Sequence, residues 1–264
     1  MLSLCSAFFP MWAEALAADL ASADICVPPK QGLVATDVRY VIDGDSLKLA
    51  NGQELRIIGI NTPEHGDFLA DKARQTLKQN LRQGINGGKN SKIKIYRSLG
   101  SDKRDSYGRI LAHLWLLGDD GRWTSPAINL LEQGLAFHIA IFPNLEYISC
   151  YAAAEQQAKT AKRGLWDNWR PLAASSKKLK PGFAFIKGDI VEIIDKGRFG
   201  SELIMSGGSI GLWIPAKSYK LFGGKHKLKA FIGQRAVARG WIYRYKDNRR
   251  LQLQVSHPAM LDLL

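Results

Sequence analysis

The segment of residues 41–64, VIDGDSLKLANGQELRIIGINTPE, concentrates side chains that can bind a cation and a phosphate. Asp45 and Asn61 offer carboxylate and amide oxygens, and with a backbone carbonyl these are the hard ligands that Ca²⁺ and Mg²⁺ prefer. Arg56 offers a guanidinium that can pair with a phosphate. Glu64 can orient or deprotonate an attacking water. Together these groups predict a site that hydrolyses a phosphodiester with the help of one cation.

A second guanidinium, that of Arg109, is predicted to lie on a strand of the same barrel as Arg56. Two guanidiniums directed at one phosphate would neutralise the charge that develops in the transition state. The alternative is structural, because Asp-Gly-Asp is a common turn and Arg and Glu at strand ends often form surface ion pairs. Spacing alone leaves both interpretations open. No P-loop, dinucleotide fingerprint or Ser/His/Asp arrangement competes with this site.

Three strand-like runs must position these side chains. They cover residues 33–42, 46–49 and 54–60, and each shows the alternation of apolar and polar residues that is typical of a strand. Asp43-Gly44-Asp45 predicts a tight turn between the first two runs, and Asn51-Gly52 predicts a hairpin between the second and the third. A meander of this kind brings Asp45 and Asn61 towards each other.

The rest of the first domain reads as further strands and three helices that can pack on this meander. The predicted elements are a helix over residues 67–83, a strand over 92–99, a polar loop over 100–106, a strand over 110–117, a helix from Ser125 and a helix over 145–163.

A second, all-β pattern follows the segment RPLAASSKKLKPG, residues 170–182, which has the composition of a linker. Five strands with a helical insert are typical of a small OB-type barrel. The predicted strands cover 183–194, 201–205, 210–215, 234–245 and 250–255, and the insert covers 216–222. The sequence therefore predicts a mainly β protein with α-helices (α+β), divided into a first domain over 24–169 and a basic barrel domain over 183–264.

The positive charge of the chain is unevenly distributed. The net charge is +13, and residues 171–264 hold 17 Lys and Arg against 6 Asp and Glu. This excess favours a polyanion such as DNA or RNA as the partner of the second domain. Arg244 and Lys246 are predicted to contact phosphates. Trp241, on the other face of the same strand, has base stacking and a core position as its two interpretations, and the core is favoured. An amphipathic basic helix is missing from the pattern, so stable membrane association is not expected, and no protein partner can be inferred.

Residues 1–23 are apolar and end in Ala21-Ser22-Ala23, which resembles a signal-peptide cleavage site. A docked or disordered N-terminal tail is the alternative. Removal of the segment would leave two cysteines, Cys26 and Cys150, which predict either a disulfide or two separate buried thiols. The signal-peptide interpretation implies an exported protein, periplasmic or secreted.

Four motifs in order resemble the staphylococcal-nuclease-like (thermonuclease) family over Val34–Trp166. They are VIDGDSLKL, LRIIGINTPE, DSYGRILAHLW and INLLEQGLAF. The resemblance implies a five-stranded OB-type barrel with three helices. It also implies Ca²⁺-dependent cleavage of DNA and RNA with little base specificity, with Mg²⁺ or Mn²⁺ as possible alternatives to Ca²⁺.

The resemblance also implies a role for individual residues. It makes Asp45 the principal metal carboxylate, Thr62 a metal ligand through its backbone carbonyl, Glu64 the residue that acts on the attacking water, Arg56 and Arg109 the phosphate-binding arginines, and Tyr107 an aromatic residue beside the bound nucleotide.

Two positions depart from the family pattern. Asn61 stands where the family has a second metal carboxylate. The asparagine amide keeps an oxygen donor, but it removes a negative charge and so lowers the expected affinity for the cation. Near Phe142 the type enzyme has two tyrosines that hold the nucleotide, so stacking on the substrate is expected to differ, with Phe142 as the candidate contact. These departures motivate an alternative function, a nucleic-acid-binding protein whose nuclease-like domain is catalytically weakened.

Overall fold

The structure, a computed structural model, describes residues 26–83, 94–244 and 250–264. The predicted signal segment and Lys246 lie outside these residues. Strands dominate the described part and three α-helices accompany them, which confirms the predicted α+β class. None of the helices in these ranges is both long and apolar enough to cross a membrane.

The first barrel contains the predicted meander. The strands of this part of the chain are β1 (Leu33–Ala35), β2 (Val38–Val41), β3 (Ser46–Leu49), β4 (Glu54–Ile57), β5 (Ile60–Asn61), β6 (Lys94–Arg104), β7 (Ile110–Leu117), β8 (Trp123–Thr124) and β9 (Phe137–His138). Of these, β5 and β9 pair with each other in a small sheet of their own. The main path runs β1-β6-β7-β4-β3-β2, and only its β4–β7 pair is parallel. Because β1 and β2 follow one another in the chain, the two ends of this path meet and the sheet closes as an OB-type barrel.

Three helices cover this barrel, as the resemblance implied. They are α1 (Ala70–Gln83), α2 (Pro126–Glu132) and α3 (Ile148–Thr160). Leu77 and Leu81 of α1 and Leu130 and Leu131 of α2 are fully or almost fully buried in the barrel core. Each of the predicted helices 67–83 and 145–163 begins three residues later in the structure, at Ala70 and Ile148.

The second barrel has the same strand order as the first when β1 and β2 are counted as one strand. Its strands are β10 (Leu172–Ala173), β11 (Gly182–Asp195), β12 (Gly200–Met205), β13 (Ile210–Pro215), β14 (Arg235–Arg244), β15 (Leu251–Gln254) and β16 (Leu261–Leu263). The path β11-β12-β13-β15-β14 is closed by pairing of β14 with β11, and β13–β15 is its parallel pair. Turns of 3-10 helix occupy Ala216–Phe222, the predicted insert, and Lys225–Phe231.

Two segments are more ordered than their composition predicted. The polar loop predicted over 100–106 is largely strand, because β6 continues to Arg104. Gly100 permits this continuation, since a Cβ atom there would lie 2.6 Å from both Asn144 and Ile58. Within the predicted linker 170–182, β10 pairs with β11 and Ala174 is buried, so this part of the segment packs on the second barrel.

The two barrels share a buried polar contact. Arg239 of β14 forms an ion pair of 2.7 Å with Glu155 of α3, and both side chains are only 4% exposed. Arg239 also donates a hydrogen bond to the backbone carbonyl of His138. Apolar residues beside it, Ile139 and Ala140, belong to the core of the second barrel. The first and second barrels are therefore packed against each other through side chains of both.

Candidate active site

The turn between β2 and β3 presents Asp45 to the end of β5. Asp43 accepts a hydrogen bond of 2.9 Å from the backbone N–H of Asp45, which stabilises the turn. Gly44 is needed here because the chain passes close to Thr62, and a Cβ atom on Gly44 would lie 2.6 Å from the Thr62 Cγ2 atom. The sequence therefore brings the Asp-Gly-Asp turn directly against the Asn61-Thr62 segment, as the meander predicted.

The carboxylate of Asp45 is buried, only 5% exposed, and is surrounded by donors. Its Oδ2 accepts hydrogen bonds from the Thr62 backbone N–H at 2.7 Å and the Thr62 hydroxyl at 2.9 Å. Its Oδ1 accepts from the Ser46 hydroxyl at 3.0 Å and lies 2.8 Å from the Arg56 Nη1. Burial raises the pKa of Asp45 above its usual range, while Arg56 and the Thr62 donors favour the ionised form.

Arg56 is held by three oxygens of its own barrel. Besides Asp45, its guanidinium donates to the Asn61 Oδ1 at 3.1 Å and to the Ile57 backbone carbonyl at 3.2 Å. The amide of Asn61 completes the arrangement by donating to the Thr62 backbone carbonyl at 3.4 Å. Asn61 therefore orients a guanidinium with the same oxygen that was predicted to bind the metal.

The oxygens gathered here fit a hard divalent cation. Asp45 supplies a carboxylate, Asn61 an amide oxygen and Thr62 a backbone carbonyl, which is the donor chemistry of Ca²⁺, Mg²⁺ and Mn²⁺ sites completed by water. Over the ranges that the structure describes, no three His, Cys, Asp or Glu side chains form a cluster suited to a metal. The donor set thus has one carboxylate at its centre and little negative charge.

Arg109 approaches the same region from the start of β7. Asp105 accepts hydrogen bonds from the Arg109 backbone N–H at 2.9 Å and from its Nε at 2.7 Å. Partial burial opposes ionisation of Asp105, but the hydrogen bonds and charge of Arg109 outweigh it and hold the Asp105 pKa below its usual range. The Tyr107 ring lies 5.5 Å from the guanidinium carbon of Arg109 and is largely exposed.

Arg56 and Arg109 line one cavity of about 550 Å³. Asp105 and Tyr107 also line this cavity. The second barrel also contributes to the lining, through Trp241 and Tyr243 of β14. Trp241 is 37% exposed, so the expectation that it belongs to the core is wrong.

Glu64 lines a second cavity, of about 520 Å³, together with Asn61 and Thr62. Its side chain is exposed and makes no hydrogen bond or ion pair with any described residue. A carboxylate in this state is accessible to water and to substrate. Lys178 and Lys180, from the segment between β10 and β11, line the same cavity.

Two of the predicted substrate contacts lie apart from these cavities. Phe142 packs at the junction of the barrels, with Lys217 5.5 Å from its ring centre and its backbone N–H 3.4 Å from the Ser256 hydroxyl. Arg244 is exposed at the end of β14, and the described residues that line either cavity do not include it.

Asp105, Ser46 and Trp241 were not predicted as site residues. The four-residue spacing between Asp105 and Arg109 is a signal from which Asp105 could have been predicted. Ser46 follows Asp45 directly, but a hydroxyl in a strand carries no distinctive pattern. Trp241 is brought to the site by contact between the barrels, which no local pattern reports.

Cys26 and Cys150 form a disulfide in the structure, with their Cα atoms 5.7 Å apart. It ties the N-terminus of the described chain to α3, since Cys150 lies in the first turn of that helix.

Comparison with known proteins identifies the first barrel. Residues 54–168 match the family model described as staphylococcal nuclease homologue. This part of the chain is a staphylococcal-nuclease-like domain, which confirms the resemblance. The match begins after Asp45, but the hydrogen bonds of Asp45 to Thr62 join it to the matched region.

Three curated relatives are each similar to about half of the chain. The SPbeta prophage-derived endonuclease YokF of Bacillus subtilis (strain 168) is 31% identical over 141 residues, 51% of this chain and 44% of the relative. Endonuclease YncB of the same organism is 31% identical over 141 residues, 51% of this chain and 62% of the relative. A thermonuclease of Staphylococcus hyicus is 29% identical over 141 residues, 48% of this chain and 73% of the relative. The chain thus spans about half the length of the two Bacillus relatives.

Proposed function

We propose that this protein is a divalent-metal-dependent endonuclease that hydrolyses phosphodiester bonds of DNA or RNA with little base specificity. The observation that carries the proposal is the convergence of Asp45, Arg56 and Asn61 in one hydrogen-bonded cluster whose arginine shares a cavity with Arg109. Curated relatives that bear the names endonuclease and thermonuclease support the same reaction class.

In the proposed reaction, Arg56 and Arg109 bind the non-bridging oxygens of the scissile phosphate and stabilise the charge that grows on them. Glu64 accepts a proton from the attacking water, the new bond forms between the water oxygen and phosphorus, and the bond to the leaving oxygen breaks. That oxygen takes its proton from solvent. Asp105 holds the Arg109 side chain in place.

Asp45, Asn61 and the Thr62 carbonyl would hold the cation. When bound, a Ca²⁺-class ion supplies positive charge next to the phosphate, which adds to that of the two arginines. Ca²⁺ is the expected ion, with Mg²⁺ and Mn²⁺ as alternatives, because all the donors are oxygens.

The second barrel is proposed to bind the nucleic acid. Its part of the chain, residues 171–264, has an excess of 11 positive charges, 17 Lys and Arg against 6 Asp and Glu. Export to the periplasm or the medium is proposed as well. The predicted signal segment and the disulfide between Cys26 and Cys150 support it, because disulfides persist in oxidising compartments. N-terminal sequencing of the protein recovered from the exported fraction tests this.

Cleavage of plasmid and single-stranded RNA, with Ca²⁺, Mg²⁺ or Mn²⁺ and with chelator, tests the reaction. The wild-type protein is expected to cut in at least one metal and to stop in chelator. Glu64→Gln is expected to lower kcat by roughly 10²- to 10⁴-fold, since it removes the proton acceptor. Glu54→Gln is the matched control, because Glu54 is a half-exposed surface residue paired with Lys48.

A second candidate function is nucleic-acid binding without cleavage. The contact of the Asn61 Oδ1 with Arg56 favours it, because that oxygen is engaged and the site has one carboxylate at its centre. Tight binding with no turnover in any of the three metals would select this function. Full activity of Glu64→Gln would contradict the proposed reaction.

A further inference from the structure

An exposed tryptophan of the second barrel lines the same cavity as two arginines of the first. Trp241 lines the cavity of about 550 Å³ together with Arg56, Arg109 and Tyr107. Large aromatic side chains on OB-type barrels are platforms on which bases stack. A cavity lined by two arginines and a tryptophan offers partners for both the phosphate and the base of one nucleotide.

The position of Trp241 is fixed by the pairing of β14 with β11, which closes the second barrel. Trp241 of β14 is the cross-strand partner of Phe183 of β11, and their ring centres lie 5.1 Å apart in an edge-to-face arrangement. Phe183 in turn stacks on Phe137 at 5.8 Å, and Phe137 is the strand partner of Asn61. A continuous series of aromatic contacts therefore connects Trp241 with the strand that carries a proposed metal ligand.

The same pair of strands also contributes to the cavity that Glu64 lines. Phe183 lines that cavity of about 520 Å³, as do Lys178 and Lys180 from the segment just before β11. Phe183 thus lines one cavity, and Trp241, which contacts its ring, lines the other. Cations line both, which suits a chain of phosphates rather than a neutral ligand.

From this placement we infer that the second barrel completes the nuclease site, with Trp241 stacking on the base next to the scissile phosphate. The inference rests on the proposed function for the identity of the ligand. A base can stack on Trp241 only when it is unpaired, because a paired base is covered by its neighbours in the duplex. The ligand is therefore a single-stranded or locally unpaired segment of nucleic acid. The second barrel then acts as a part of the active site, in addition to any wider contact with the polyanion.

Binding in chelator tests the inference without requiring cleavage. The probes are two labelled single strands of equal length, a thymidine oligonucleotide and a fully abasic backbone, measured by fluorescence anisotropy. Wild type is expected to bind the base-bearing strand more tightly than the abasic strand. Trp241→Ala is expected to weaken binding of the base-bearing strand about tenfold. Binding of the abasic strand should change little, because the phosphate contacts remain.

Three further variants separate stacking from folding. Trp241→Phe keeps an aromatic face and is expected to stay within about threefold of wild type for the base-bearing strand. Phe199→Ala removes another exposed aromatic residue of the second barrel, outside both cavities, and should bind both strands like wild type. Arg109→Ala should weaken both strands by a similar factor, since it removes a phosphate contact. Thermal melts establish that each variant is folded.

Cleavage kinetics supply an independent readout. If stacking contributes equally to the ground state and the transition state, Trp241→Ala raises KM for a single strand and leaves kcat nearly unchanged. The inference is overturned if folded Trp241→Ala discriminates between the two strands as wild type does. Metal-dependent cleavage with no effect of Trp241 would retain the proposed function and reject the inference. If Trp241→Ala no longer distinguishes the base-bearing strand from the abasic strand but the wild-type protein cleaves in none of the metals, the inference is retained and the proposed function is rejected.

Discussion

At the scale of single residues, the site is notable for how few charges stand near its centre. The four donors around Asp45 hold its carboxylate in one orientation before any cation arrives. Asn61 contributes an oxygen without a charge, and that oxygen orients Arg56. The first barrel therefore combines a well-oriented arginine, the proposed phosphate contact, with a proposed cation site of low charge, and we expect metal affinity to be the property that a substitution changes most.

We expect Asn61→Asp to raise the affinity for Ca²⁺ by roughly an order of magnitude, because it adds a second carboxylate to the donor set. Without metal the variant is expected to be less stable than wild type, since a carboxylate oxygen would replace the amide that donates to the Thr62 carbonyl. Thermal melts across a Ca²⁺ titration measure both effects, since a ligand of the folded state raises Tm with its concentration.

Asn51→Asp is the control for that measurement. Asn51 lies in the exposed β3–β4 hairpin, where its side chain bonds only within the turn. The same change of charge there should leave the Ca²⁺ dependence of Tm at the wild-type value. Equal Ca²⁺ responses of Asn61→Asp and wild type would show that position 61 is not a metal ligand.

At the scale of elements, local patterns predicted what local sequence determines. The strands of the second barrel were predicted to within one or two residues, because alternation and turn residues define both their faces and their ends. Strands β10 and β16 were missed, since two or three residues show no period and their pairing partners are distant in sequence. The same holds for the candidate site. The cluster around Asp45 could be predicted from the sequence of one meander, whereas the position of Trp241 beside the cavity depends on how the two barrels pack.

The strand β14 offers a direct comparison of a buried and an exposed ion pair. Arg239 meets Glu155 with both side chains buried, and Glu155 accepts further hydrogen bonds from Lys159 and from the His138 backbone N–H. We expect Arg239→Met to lower the free energy of unfolding by about 3–5 kcal/mol, because it leaves the Glu155 charge buried without its main partner. Equilibrium unfolding in urea measures the loss.

Arg235→Met, on the same strand, is the matched control. Arg235 pairs with Asp189 at the surface, where more than half of its side chain is exposed, and its loss should cost at most about 1 kcal/mol. The double variant Glu155→Leu with Arg239→Met should recover part of the stability lost in Arg239→Met, since no buried charge remains. Equal losses for Arg239→Met and Arg235→Met would contradict a role for burial.

At the scale of the whole molecule, the two barrels are joined by a buried contact that is both polar and apolar. The junction includes Arg239 of the second barrel and Glu155 and His138 of the first, with Ile139 and Ala140 in the core of the second barrel. Trp241 and Arg56 line one cavity from different barrels, so the shape of that cavity depends on this junction.

This junction also predicts how stability depends on pH. Burial lowers the pKa of His138 to about 4, with the Glu155 charge opposing the shift and the charges of Arg239, His257 and Lys159 adding to it. As pH falls below about 6.5, the unfolded chain binds a proton at His138 that the folded protein does not bind until pH is near 4. Stability is therefore fully present above pH 6.5 and falls by up to roughly 3 kcal/mol towards pH 4.

We expect the Tm of the wild-type protein to fall between pH 7 and pH 4.5 by several degrees more than the Tm of His138→Gln, because glutamine cannot take up the proton. A loss of 1 kcal/mol corresponds to about 2–4 °C for a chain of this size. His226→Gln, in the 3-10 turn Lys225–Phe231, is the control for an exposed histidine and should follow wild type. Far-UV circular dichroism and tryptophan fluorescence should give one coincident transition for both barrels at pH 7. The same loss of Tm on acidification in wild type and His138→Gln would exclude His138 as the titrating group of the junction.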